Sequence, residues 1–223
     1  MTPIRVVLVD DQPLVRAGIT ALLTGDGDGI VLAGEASDGA SAAALVRRVR
    51  PDVVLMDIRM PGTDGIAATT AIRADAGCRE VAILMLTTFD TDEEVLGAMR
   101  AGADGYLLKD TAAEPLRAAV RAAAAGEPAL SPGVARQVMG HAATSPQPVA
   151  DPRLARLTAR ELEVLATLAD GSDNAAVARE LSLSPETVRT YVHRILTKTN
   201  AASRAQLVAI AHRSGLAAGR RRR

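Results

Sequence analysis

Five side chains suited to metal binding or phosphoryl chemistry stand at the ends of short apolar runs. Asp10 and Asp11 close "IRVVLVDD", Asp57 closes "DVVLMD", Thr87 (followed by Thr88) closes "VAILMLT", and Lys109 closes "GYLLK". Three carboxylates brought together repel one another, and burial raises their pKa values. A divalent cation relieves that repulsion, and magnesium suits such a set because it takes oxygen ligands and keeps positions open for water and phosphate oxygens. With a metal on one phosphoryl oxygen, Lys109 can neutralise a second and Thr87 can hydrogen-bond a third. Asp57 is then placed to act as a nucleophile and form an acyl phosphate. Singly, each residue has a plainer explanation. An Asp-Asp pair makes a turn or a helix cap, a threonine ends a strand, and a lysine before Asp110 makes a surface ion pair. The conjunction of four run ends, each carrying a required group, is what favours chemistry.

The elements that must hold these groups follow from the spacing. "IRVVLVDD", "IVLAGEA", "DVVLMD", "VAILMLT" and "GYLLK" are strand-length apolar runs. Helical spacing lies between them, at Pro13 to Leu23 and Ala40 to Arg50, and a last helix is expected from Ala112 to Ala125, stopped by Gly126. Five alternations predict an α/β domain over residues 1–126: a five-stranded, parallel, doubly wound sheet of flavodoxin-like type. Its crossovers are expected to be right-handed. In such sheets ligands bind beyond the carboxyl ends of the strands, where all five groups fall. The strand "VVLMD" presents no polar face, so it reads as buried on both sides.

Residues 127–153 break this pattern with Pro128, Pro132, Pro146, Pro148 and Pro152. They read as a linker with one short helix over Gly133 to His141. The remainder, 154–216, is helical throughout and predicts a small all-α domain, followed by a basic tail at 217–223 that includes Arg220 to Arg223. The formal charge is zero but unevenly divided. Residues 1–126 carry 12 Lys and Arg against 18 Asp and Glu, and the rest carry 14 against 8. The acidic half suits cations, and the basic half suits a polyanion such as nucleic acid. No apolar run approaches the roughly 18 residues of a membrane span, so no membrane partner is expected. The opening "MTPIRVVLVDD" has neither the basic start nor the cleavage site of a secretory leader. A single cysteine, Cys78, fits a reducing, cytoplasmic setting.

In the helical half, Thr158 and Glu161 have capping-box spacing ahead of Leu162, Leu165 and Leu168, and Gly171 reads as the stop. Asn174 is the expected cap of a short helix to Leu181, and Ser182 to Ser184 make a tight connection. Ser184 then caps a longer helix with Pro185 at its first position. Two helices joined so tightly predict a helix-turn-helix. On the second, Val188, Val192, Ile195 and Leu196 form an apolar stripe. Arg189, Thr190, His193, Arg194, Thr197 and Lys198 lie on the other face, with no acid after Glu186. That face suits a major groove, where Arg pairs with guanine and Thr meets a thymine methyl. Thr187, Arg194, Lys198 and Arg204 read better as phosphate contacts. The alternative is an ordinary solvated face on a helical bundle. Ser203 is the expected cap of a final helix, Arg204 to Arg213.

The motifs "VDDQPLVRAG", "VVLMDIRMPGTDG", "ILMLTTFD" and "AGADGYLLKD" make the first 125 or so residues resemble a response-regulator receiver domain. The resemblance implies that Asp57 is the phosphoacceptor. Asp10, Asp11, Asp57 and the backbone carbonyl of Arg59 would hold Mg2+, with Thr87, Tyr106 and Lys109 as the switch and phosphate-binding residues. Asp110 stands where a cis-proline is common, which implies a different geometry in that loop rather than loss of function. The segments "LTARELEVL", "NAAVARELSLSPETVRTYVHRI" and "SRAQLVAIA" resemble the LuxR-type helix-turn-helix. Together the two domains resemble the NarL/FixJ class of two-component response regulators. That implies a sensor histidine kinase as phosphodonor, double-stranded promoter DNA as target, and a homodimer on phosphorylation. Arg189, Thr190 and His193 would read bases, and the helix around Gln206 to Ile210 would pack dimers. Tyr191 stands where His is usual, and "TNAAS" replaces a Leu-Gly-Val start, with Asn200 at the glycine position; these changes bear on base preference.

Two rival readings make different predictions. A small-substrate phosphatase working through Asp57 would place an acid two residues later, where Arg59 stands. A phosphorylation-independent regulator, with the first domain only a dimerisation module, would have lost the acid pair or the lysine, and this chain keeps both.

Overall fold

The structure, a computed structural model, describes residues 2–24, 29–87, 92–127, 129–130, 151–169 and 172–216. Thr88, Phe89, the short helix expected over Gly133 to His141, the Gly171 stop and the basic tail lie outside the described residues. The chain divides into two compact units, residues 1–134 and 135–223.

In the first unit, strands β1 (Ile4–Val9), β2 (Ile30–Ala36), β3 (Val53–Asp57), β4 (Ala82–Thr87) and β5 (Gly105–Leu108) alternate with helices α1 (Pro13–Leu23), α2 (Gly39–Val49), α3 (Gly65–Ala74), α4 (Asp92–Ala101) and α5 (Ala113–Ala124). All strands pair in parallel in the order β2-β1-β3-β4-β5, and a two-residue strand, β6 (Ala129–Leu130), adds to β5. The sheet therefore has a sixth strand, in a segment that reads as linker from sequence. Two residues between Pro128 and Pro132 carry no periodicity, but their pairing with Gly105 and Tyr106 caps the β5 edge.

Why β3 reads as an unbroken apolar run is now plain: all five of its residues are buried. Successive side chains point to opposite faces. Val6, Leu8, Val53, Leu55 and Leu84 pack in one cluster with Ile19 and Leu23 of α1 and Leu116 and Val120 of α5. The alternates Val7, Val9, Val54, Met56, Ile83 and Met85 are also fully buried, and on their side Thr69 of α3 reaches Met85 of β4. Burying a side chain such as Leu116 or Val120 stabilises by about 1.5–3 kcal/mol, so this two-sided packing makes the sheet a rigid mount.

Local signals set the helix ends. Asp38 and Asp64 cap α2 and α3, accepting from Ser41 N at 2.9 Å and Ala67 N at 2.7 Å. α5 ends at Gly126, whose φ of 72° places it in the left-handed region glycine favours. Arg73 of α3, 9% exposed, donates to the carbonyls of Gly102 and Val81 and pairs with Asp104, which also accepts from Ile83 N at 2.8 Å. This buried arginine ties α3 to β4 and to the turn before β5, and no sequence pattern announces it.

The second unit opens with a 3-10 turn, Pro152–Arg156, capped by Asp151. Helices α6 (Ala159–Leu168), α7 (Asn174–Leu181), α8 (Pro185–Thr199) and α9 (Arg204–Arg213) follow. Their apolar faces meet in one core of Val164, Leu165, Leu168, Val177, Val188, Ile195 and Leu207, among others. The capping box at Thr158 and Glu161 is formed in both directions. The cap of α7 is Asp173 rather than Asn174, with Asp173 accepting from Ala176 N at 2.6 Å. Two adjacent Asx residues are equally good caps by type, and here the more N-terminal one is used. Ser182 (φ 54°) and Asn200 (φ 51°) both end helices in the left-handed region, so Asn200 does the work of the usual glycine.

Candidate functional site

The sheet order reverses between β1 and β3, and the expected residues gather just beyond that switch point, where open parallel sheets bind ligands. Asp10 follows β1 and is fully buried, Asp57 ends β3 at 3% exposed, and Thr87 ends β4 at 4%. Carboxylate oxygens of Asp10, Asp11 and Asp57 all lie within 4.8 Å of one another. Lys109 follows β5, and its Nζ lies 2.7 Å from Asp10 Oδ2 and 2.9 Å from Asp57 Oδ2. Lys109 N donates to the Thr87 carbonyl at 2.7 Å, so main chain also ties β5 to the threonine. The described residues contain no cis peptide, so the Lys109–Asp110 bond is trans.

Charge in this pocket is finely balanced. Burial raises the Asp57 pKa and the neighbouring Asp10 charge adds to the rise, while Lys109 works against it. For Lys109, burial disfavours the cation, but its bonds to Asp10 and Asp57 outweigh that and leave its pKa raised. One ammonium thus serves two acids. The third, Asp11, keeps a buried Oδ1 with no hydrogen-bond partner. A buried oxygen of this kind, beside two carboxylates within ligand spacing, fits a hard divalent cation that takes oxygen donors.

Three supports of this pocket have no advance signal in residue type. Arg16 of α1 donates from Nη1 to the Asp10 carbonyl at 2.5 Å while its Nε bonds Glu35 at 3.3 Å. Gly65 presses on the strand itself, because a Cβ there would lie 2.0 Å from the Asp57 carbonyl oxygen. Arg59 sends its side chain to Glu94 of α4, Nε to Oε1 at 2.7 Å. Tyr106 of β5 is only 2% exposed, so its ring lies inward.

In the helical unit, α7 and α8 are joined by Ser182, Leu183 and Ser184, and Ser184 caps α8 through Thr187 N at 3.1 Å. Val188, Val192 and Ile195 face the core, whereas Arg189, Thr190, His193 and Arg194 are exposed together. The Thr187 hydroxyl lies 2.8 Å from Ser184 Oγ and remains at the exposed helix start. Two expected phosphate contacts look inward instead. Arg204 is 6% exposed, with Nη1 2.7 Å from Asn174 Oδ1 and Nη2 2.7 Å from the Ser172 carbonyl. Its assignment as a phosphate contact is corrected, because its guanidinium is spent on tying α9 to the start of α7. Lys198 is half-buried, and its Nζ bonds Glu161 at 2.8 Å.

Comparison with known proteins finds a family for each of the two units. Residues 6–121 match the family model for the response regulator receiver domain, and residues 155–211 match that for bacterial regulatory proteins of the luxR family. The chain is 44% identical over 214 residues to an uncharacterized transcriptional regulatory protein, YxjL, of Bacillus subtilis, covering 96% of this chain and 97% of the relative. It is 40% identical to the nitrate/nitrite response regulator protein NarP of Escherichia coli, covering 91% and 92%. Among solved structures, the response regulator ChrA of a heme-sensing two-component system is 38% identical, covers 97% of this chain and 100% of its own, and superposes with a TM-score of 0.52. No described helix is long and apolar enough to cross a membrane. Receiver and LuxR-type domain together place this chain in the NarL/FixJ class of two-component response regulators, DNA-binding regulators of transcription controlled through the receiver.

Proposed function

We propose that Asp57 is the phosphoacceptor and that Asp10, Asp11, Asp57 and the Arg59 carbonyl hold Mg2+ beside it. When bound, the metal neutralises charge on the phosphoryl oxygens. The phosphodonor is a sensor histidine kinase. A carboxylate oxygen of Asp57 attacks phosphorus, the P–N bond of the donor's phosphohistidine breaks, and the imidazole nitrogen keeps the electron pair and takes a proton from solvent. Rigid positioning and charge neutralisation supply most of the acceleration in such transfers. The observation that carries this reading is Lys109, whose Nζ stands within 2.9 Å of both Asp57 and Asp10. An ammonium there remains to pair a phosphoryl oxygen once Asp57 is an acyl phosphate.

The signal leaves the site through Thr87 and Tyr106. Thr87 turns its hydroxyl to the new phosphoryl group, and Tyr106 follows into the room this leaves, which biases the face built by α4, β5 and α5. The chain then dimerises and binds a two-fold related promoter site in the cytoplasm. α8 enters the major groove with Arg189, Thr190 and His193 at base edges, while Thr187 and Arg194 contact phosphate.

Labelling with acetyl phosphate and Mg2+ tests the core of this reading. Asp57→Ala should abolish the hydroxylamine-labile label expected of an acyl phosphate. Label that persists on the variant would place the phosphoacceptor elsewhere.

A further inference from the structure

Arg59 touches the site through its main-chain N–H, and its side chain leaves for another element. Its N–H approaches Asp57 Oδ1 at 3.4 Å, and its carbonyl is the donor proposed above for the metal. Its Nε meets Glu94 Oε1 of α4 at 2.7 Å. Glu94 is 19% exposed and Arg59 is 69% exposed, so the acid is the anchored end. Both side chains line an open pocket of about 520 Å3, with Ile58, Met60, Pro61 and Ile66 also among its walls. The ion pair therefore links the loop after Asp57 to α4 at the edge of this pocket. Below it, α4 sits close on α3: a Cβ at Gly97 would lie 3.2 Å from Ile66 Cδ1.

We propose that the Arg59–Glu94 ion pair is a strap by which α4 holds the phosphoacceptor loop in metal-binding geometry, which makes Arg59 and Glu94 positioning residues for the reaction at Asp57. The proposal rests on the reading of that site as a Mg2+-dependent phosphoacceptor. By linkage it works both ways: α4 tightens the metal site, and an occupied site steadies α4.

Two substitutions separate a strap from simple electrostatics. Removing the guanidinium with Arg59→Gln takes a cation from an acidic cluster, and charge alone would raise its affinity for Mg2+. Removing the carboxylate with Glu94→Gln takes an anion away, and charge alone would lower it. A strap predicts that both variants of the full chain lose Mg2+ affinity, by roughly two- to fivefold, the range open to an ion pair with one exposed partner. The double variant should lose no more than the larger single loss, because the strap can be cut only once. Slowing of α4 amide exchange on adding Mg2+ should shrink in all three. Affinities that move in opposite directions, that add in the double variant, or that match the parent chain would overturn the strap. If the parent chain binds Mg2+ and labels on Asp57, such a result leaves the phosphoacceptor reading intact. If the parent chain binds no Mg2+, that reading falls and the strap falls with it.

Discussion

Lys198, in the last turn of α8, is bonded to Glu161, in the first turn of α6, with Nζ 2.8 Å from Oε1. Glu161 is 3% exposed and also accepts from Thr158 N at 2.7 Å and Thr158 Oγ1 at 3.0 Å. One carboxylate thus closes the cap of α6 and anchors the far end of the exposed basic helix. Lys198→Met should lower stability by about 1 kcal/mol, less than for a fully buried pair because Lys198 is 38% exposed. Its DNA affinity should fall without a change in the slope of log affinity against log salt. A slope reduced by about one would show that Lys198 reaches phosphate after all.

The same carboxylate sets an acid limit on the helical unit. Lys198 first, and then the Thr158 N–H, hold the Glu161 pKa below its ordinary value of 4.5. A carboxylate depressed on folding adds stability that is complete above its unfolded pKa and is lost as pH falls through the folded one. Calorimetric unfolding of the full chain should therefore show the helical unit weakening as pH drops below about 4.5. Lys198→Met should shrink that acid-sensitive part, since the folded pKa then moves back toward the unfolded value.

Gly65→Ala should damage the receiver without touching a charged group. Its Cβ would meet the Asp57 carbonyl oxygen at 2.0 Å and carbonyl carbon at 2.9 Å, which are backbone atoms that cannot rotate away. Overpacking of this kind costs about 1–3 kcal/mol. Urea unfolding should show that loss, and acetyl phosphate labelling of Asp57 should slow because the strand end has shifted. Wild-type stability in the variant would mean that the α3 start moves freely.

Arg189 and Arg204 should behave in opposite ways. Arg189 is exposed on α8, so Arg189→Ala should relax base preference at one position by about 1–3 kcal/mol and leave the melting temperature nearly unchanged. Arg204→Ala leaves the Asn174 Oδ1 without its buried donor, and unpaired buried groups cost about 1–3 kcal/mol. Paired binding and melting curves for the two variants check this. Equal effects on melting would contradict the inward placement of Arg204.

Much of this molecule is legible in its residues. The run ends place Asp10, Asp57, Thr87 and Lys109 on one edge because strand length and sheet order are local and general properties. Helix ends are legible where a cap is unambiguous, as at Thr158, Ser184 and Ser203, and less so where Asp173 and Asn174 compete. The two-residue β6 escapes, because its pairing with β5 comes from tertiary position and not from its own pattern.

What sequence alone determined is which groups stand at the strand ends and which helix carries an exposed basic face. Those follow from periodicity and residue type within a few neighbours. Only the tertiary structure decided how the long side chains are used. A lysine or arginine reaches several ångströms and can pair with any acid or carbonyl that the fold brings near, whatever the separation along the chain. So Lys109 serves Asp10 and Asp57 together, Arg16 grips the Asp10 carbonyl, Arg59 reaches Glu94, and Lys198 and Arg204 turn inward. A residue's type states that it carries charge, and the fold states where that charge is held.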